Sequence, residues 1–114
     1  FAYMIDGKVT AVLGTHTHVP TSDLRVLPQG TAFQTDTGMC GDYDSVIGGE
    51  KNSWIKKFEI NNSFERIKSS KKNIALCGTI IKVNKNNGLP NVVEQIIVGK
   101  VLKNKFPSEK PFLD

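Results

Sequence analysis

Two β-rich runs near the end of the chain constrain its fold more than any other feature. They are "IALCGTIIKVN" (residues 74–84) and "VVEQIIVGKVL" (92–102), and they flank "KNNGLP". Asn87-Gly88 is a strong turn signal, because both residues tolerate the left-handed backbone that tight hairpins require. The pattern predicts an antiparallel hairpin with strands inside about residues 73–84 and 91–98. Ala75, Cys77, Ile81 and Val83 fall on one face and Ile74, Leu76 and Ile80 on the other. With both faces largely apolar, the first strand is expected to be covered on both sides.

Upstream, "FAYMID" reads as the last turn of a helix stopped by Gly7. "VTAVLGT" is a nearly continuous apolar run, as in a buried central strand, ended by Pro20 and the turn formers Ser22 and Asp23. "LRVLP" and "TAFQTD" read as a second hairpin across Gln29-Gly30. "TGMCGDYD" reads as a loop. A helix is expected over Ser45 to Phe58, capped by Asp44 or Ser45, with Ile47, Trp54, Ile55 and Phe58 on one side. Gly48-Gly49 weakens it and hints at close backbone packing or a bent first turn. "NNSFERIKSSKKN" and the tail "KFPSEKPFLD" read as exposed and irregular. With no repeat and no linker, the order of elements gives one mixed α/β domain.

Both histidines of the chain stand together in Gly14-Thr15-His16-Thr17-His18. In an extended strand, residues i and i+2 point to the same side, ~6.6 Å apart. Two imidazoles so placed can chelate one ion, or bind one each of two ions ~3.5–4 Å apart. Ligand sites of α/β sheets lie beyond the carboxyl ends of strands, where this pair is expected, with both rings facing one cavity. The bland alternative is a surface pair of no consequence. Two ligands also fall short of the three or four that a metal site needs.

Charge is divided unevenly along the sequence. Residues 1–50 carry two basic and six acidic side chains, whereas residues 51–114 carry 13 basic and five acidic ones. The acidic half, which holds the histidines, suits a cation. The lysine-rich half can attract polyanions, although without interleaved aromatics a solvated surface is the simpler reading. Cys40 and Cys77 are too far apart for a CxxC motif and read as reduced thiols of a cytoplasmic protein. No apolar run approaches the ~20 residues of a membrane helix. Phe1 in place of an initiator Met reads as a start inside a structural element.

Three segments, "DGKVTAVLGTHTHVPT", "LPQGTAFQTDTGM" and "GDYDSVIG", resemble in order the C-terminal part of the YmdB-like metallophosphoesterases, within the calcineurin-like phosphoesterase superfamily. "NIALCGTIIKVN…VEQIIV" is similar to that family's closing hairpin. The resemblance implies an α/β fold, the C-terminal part of a four-layer α/β/β/α sandwich. Residues 1–114 would then be the C-terminal half of a single domain about twice as long, with the N-terminal half absent. It implies a hydrolase, a phosphodiesterase acting on substrates such as 2′,3′-cyclic nucleotides through two divalent ions (Fe, Mn or Zn). His16 would bind one ion and His18 the other. Thr15 and Thr17 would lend hydroxyls behind these ligands or simply finish the strand. Asp36 would orient a histidine or, more simply, form a turn. The glycine-rich "TGMCGDYDS" is a weak phosphate signal, Cys40 within it reads as inert, and Trp54 reads as core.

The bridging carboxylate, the remaining ligands and a histidine assisting the leaving group would belong to the absent half. The chain alone is therefore expected to be inactive and to bind metal weakly or not at all. Its implied partners are the substrate, the missing half and, as a candidate assembly, a homo-oligomer; no membrane partner is implied. A truncated, non-catalytic remnant or interaction module is the alternative reading. A nucleic-acid-binding domain built on the basic half is a third.

Overall fold

The structure, a computed structural model, describes residues 1–59 and 66–108. The expectations for residues 61–65 of the polar stretch, and for 109–114 of the tail, fall outside them. The elements are β1 (Ala11–Leu13), β2 (Arg25–Val26), β3 (Ala32–Gln34), β4 (Gly41–Asp42), α1 (Lys51–Glu59), β5 (Ile74–Val83) and β6 (Pro90–Val98). A single 3-10 turn, Ala2–Met4, precedes them, and Gly7 follows it in the left-handed region at φ 78°. They form a mixed α/β structure with two three-stranded sheets, ordered β1-β3-β2 and β4-β5-β6.

The hairpin predicted around Asn87-Gly88 forms. β5 and β6 pair antiparallel from Leu76↔Val98 to Lys82↔Val92, with a bulge between Lys82 and Val83. Asn side chains build the connection. Asn84 Oδ1 accepts the Asn86 N–H at 2.9 Å, Asn87 Oδ1 accepts the Leu89 N–H at 3.0 Å, and Gly88 takes φ 73°. Only one face of the start of β5 is covered, however. Ala75 and Cys77 are buried with Ile97, against Tyr43 and Leu102, while Ile74 and Leu76 on the other face are 57% and 51% exposed. Periodicity reports which residues share a face, but not whether anything within the chain covers it.

In the first sheet, β1 pairs parallel with β3 and β2 pairs antiparallel with it. The second hairpin is therefore present. The segment "VTAVLGT" is not a central strand, because β1 lies at the sheet edge among the described residues and β3 takes the centre. β3 holds that place through Ala32 and Gln34, both fully buried. Gln34 joins the two sheets: its Oε1 accepts the Thr79 hydroxyl at 2.5 Å and its Nε2 donates to the Thr21 carbonyl at 3.1 Å. The interior thus depends on a satisfied polar group as much as on apolar packing.

The expected helix is shorter than its apolar pattern. It begins at Lys51 rather than Ser45, and neither Asp44 nor Ser45 caps it. Residues 45–49 form a turn instead. The Ser45 hydroxyl accepts the Gly48 N–H at 2.9 Å, Val46 bridges to Gly49, and Ile47 and Gly48 have φ 47° and 91°. A local side-chain bond of this kind competes with helix formation. Gly49 is required by packing, since a Cβ there would lie 2.5 Å from Trp54 Nε1 and 2.6 Å from Ile67 Cγ2. "TGMCGDYD", expected as a loop, contributes β4, which pairs with β5. Buried Asp42 in β4 accepts the Ser70 hydroxyl at 2.5 Å and the Lys72 N–H at 2.9 Å. These bonds hold its carboxyl down at about 2, with the Ser70 bond the largest cause.

Candidate metal centre

Beyond Leu13 the chain leaves β1 and wraps around one carboxylate. Gly14 fixes the exit: its N–H donates to Gln34 O at 3.0 Å, and its carbonyl accepts the Thr37 N–H at 3.0 Å. A Cβ on Gly14 would lie 2.0 Å from the Thr35 carbonyl oxygen, so only glycine passes there. Asp36, 1% exposed, is the post for the turn that follows. Its Oδ2 accepts the His16 N–H at 2.6 Å, the Thr17 N–H at 2.5 Å and the Thr17 hydroxyl at 2.8 Å. Its Oδ1 accepts the Gly38 N–H at 2.8 Å. The Gly38 bond, helped by those from Thr17 and His16, holds the Asp36 carboxyl down at about 2.

The histidines therefore sit not on a strand end but in a loop three to five residues past Leu13. His18 is in the left-handed region at φ 66°, a conformation that costs a non-glycine residue about 1 kcal/mol. Simple strand alternation no longer sets the ring directions; the turn around Asp36 does. Both histidines nevertheless line one cavity of about 300 Å³, with Thr15, Asp36, Gly38 and Met39. Both histidines are exposed.

His18 Nδ1 lies 2.8 Å from the Ile47 carbonyl oxygen. A carbonyl only accepts, so Nδ1 carries the proton in this bond, and in the neutral ring the lone pair is on Nε2. A backbone carbonyl holding one ring nitrogen is the usual support for a metal-ligating imidazole. The donor set fits part of a metal centre and no more. Three donors fill Oδ2 of the Asp36 carboxylate and a fourth, the Gly38 N–H, is on Oδ1, so this group is engaged chiefly in holding the loop. It touches the backbone of His16 rather than a histidine ring. Thr17 donates its hydroxyl to Asp36, and Thr15 lines the cavity. Among the described residues, no group of three or more His, Cys, Asp or Glu side chains is placed to hold an ion. Cys40 is an exposed free thiol and Cys77 a buried one, and burial pushes the Cys77 thiol up.

Two contributors carry no sequence signal of their own. The Ile47 carbonyl is a backbone group, and it reaches His18 only because residues 45–49 form a turn. Gly38, at φ 92°, has no room for a Cβ against Cys77 and Pro20. Asp23 secures the far side of the loop by accepting the Thr21 hydroxyl at 2.6 Å and the Thr35 N–H at 3.1 Å. An Asx-type turn signal was legible at Asp23, but its long-range partner was not.

Comparison with known proteins places this architecture. The chain is 39% identical over 93 residues to the 2′,3′-cyclic-nucleotide 2′-phosphodiesterase of Bacillus subtilis (strain 168), covering 82% of this chain and 35% of that protein. The crystal structure of a novel phosphatase from Mycoplasma pneumoniae matches with a TM-score of 0.78 and 39% identity, over 86% of this chain and 35% of that one. A hypothetical protein from Thermus thermophilus matches with a TM-score of 0.72 and 34% identity, over 87% of this chain and 38% of that one. The matched part of the chain thus spans little more than a third of the length of these relatives. No helix among the described residues is long and apolar enough to cross a membrane. The YmdB-like protein family profile matches residues 1–96, and the chain belongs to that family.

Proposed function

We propose that this chain supplies two histidine ligands, His16 and His18, to a dinuclear metal centre of a phosphodiesterase whose remaining ligands lie outside these 114 residues. The substrates are phosphodiesters such as 2′,3′-cyclic nucleotides, and the complete domain is a four-layer α/β/β/α sandwich acting in the cytoplasm. One observation carries the reading: His16 and His18 line one cavity, and the Ile47 carbonyl engages His18 through Nδ1, which leaves Nε2 as the nitrogen available to a metal. The names of the relatives, a phosphodiesterase and a phosphatase, agree with it.

Divalent ions such as Fe, Mn or Zn, when bound, activate a water and offset phosphate charge in the transition state. The chain's own residues position. Asp36 locks the His16–Thr17 backbone, Thr17 adds a hydroxyl to that lock, and Gly14 lets the loop leave β1 without a clash. Two imidazoles cannot hold a pair of like-charged ions without a bridging carboxylate, so the chain alone binds metal weakly and turns over nothing. The test is turnover of a bis-aryl phosphodiester by the chain alone and by the protein in its full length. Activity in the full-length protein, and its loss in both His16→Ala and His18→Ala, is expected. Histidine-dependent turnover by the 114-residue chain would contradict the proposal.

A further inference from the structure

Part of the lysine-rich second half is gathered in space. Lys56 of α1 and Arg66, Lys68 and Lys71 of the following extended stretch line one open groove of about 860 Å³, against one carboxylate among the described residues, Glu50. None of the four cations is in an ion pair among the described residues. Their direction is set by Ile67, which is half-buried beside Trp54 where Gly49 leaves room, so its neighbours Arg66 and Lys68 are exposed. From Arg66 to Lys71 an extended backbone runs ~16 Å. That is too long for one phosphate group and suited to several in a row.

The groove is joined to the histidine cavity by backbone pairing. Ile47, which holds His18, is followed by Gly48, whose carbonyl accepts the Ser70 N–H at 2.8 Å, and by Glu50, whose N–H donates to the Lys68 carbonyl at 2.9 Å. Glu50 is three positions beyond Ile47, at most ~10 Å of chain. The histidine cavity and the groove are thus tied to one short run of chain, residues 47–50, a span that an oligonucleotide can cover.

We propose that this groove binds the phosphate backbone of an oligoribonucleotide whose 2′,3′-cyclic phosphate end lies at His16 and His18, an inference that rests on the phosphodiesterase reading above. The preferred substrate is then an RNA fragment rather than a mononucleotide. Arg66, Lys68 and Lys71 each neutralise a phosphate, and binding releases the counterions condensed there.

The test uses the full-length protein and a fluorescein-labelled octauridylate ending in a 2′,3′-cyclic phosphate. Binding is followed by anisotropy in EDTA, where the metal reading has no influence. Three phosphate contacts on a single strand predict a slope of about −2 in log affinity against log salt concentration. The combined Arg66→Gln, Lys68→Gln and Lys71→Gln variant should weaken binding at least tenfold and flatten that slope. The single variant Lys71→Gln should lower the slope by ~0.7 and serves if the triple variant misfolds. With metal restored, the ratio of kcat/KM for the octamer to that for a 2′,3′-cyclic mononucleotide should fall at least tenfold in the triple variant. Salt-insensitive binding, unchanged affinity in both variants, or equal affinity for anionic phosphatidylglycerol vesicles would overturn the proposal. If the anisotropy results hold but neither substrate turns over, the groove stands and the metal reading falls.

Discussion

Replacing Gly14 by alanine tests how the histidine loop is held. The added Cβ would sit 2.0 Å from the Thr35 carbonyl oxygen, where ordinary contact begins at 3.4 Å. The backbone must therefore shift by more than an ångström. Gly14 is fixed on both sides, through its N–H to Gln34 and through its carbonyl to Thr37, each at 3.0 Å. A shift of that size breaks both bonds, at a net ~1 kcal/mol each, and leaves residual overpacking of at least ~1 kcal/mol. The expected loss is about 3 kcal/mol, a large fraction of the ~5–15 kcal/mol available to a domain. Gly88→Ala is the control. It has φ 73° but open space around its missing Cβ, so it costs only the left-handed conformation, about 1 kcal/mol. Urea denaturation followed by Trp54, the single tryptophan, reads both. At a slope of ~1.5 kcal/mol per molar, Gly14→Ala should lower the midpoint by ~2 M and Gly88→Ala by less than ~1 M. A midpoint for Gly14→Ala at or above that of Gly88→Ala would refute the steric reasoning.

Other expectations follow from the hydrogen-bonded polar groups. Gln34→Leu keeps the volume but strands the Thr79 hydroxyl, and should destabilise by about 2 kcal/mol in the same urea experiment; Gln34→Leu combined with Thr79→Val should recover part of the loss. Asp23 and Asp42 both have carboxyls lowered from 3.8 to about 2, by the Thr21 and Ser70 hydroxyls first. A carboxyl lowered on folding contributes stability above its unfolded value and loses it as pH falls through the folded one. Acid unfolding, followed by circular dichroism, should therefore set in below pH 3.8 and progress toward pH 2. Asp42→Asn should weaken that dependence, and an unchanged acid transition would count against it.

The features legible in sequence were those set by neighbours along the chain. Asn87-Gly88 and the apolar alternation on either side were enough for the β5–β6 hairpin, because register and turn are local. The helix limit was misread because the apolar period continues back through Ile47, while the Ser45–Gly48 bond and two left-handed residues end it physically. Central and edge strands cannot be told apart from apolar content when a three-residue strand such as β1 is only half covered. The histidine pair was visible as a pair, and its shared cavity followed. The means were not visible: strand alternation plays no part, and a carboxylate 20 residues away gathers the loop. The basic groove was illegible for a related reason, since Lys56 comes from a helix and Arg66 to Lys71 from an extended stretch that pairs with residues 48–50.

The claim that His16 and His18 are metal ligands is tested most directly by counting ions. Metal content of the purified full-length protein should be close to two divalent ions per chain, and each of His16→Ala and His18→Ala should lower it by about one or more. Unchanged metal content in both variants, with the fold intact, would contradict the account.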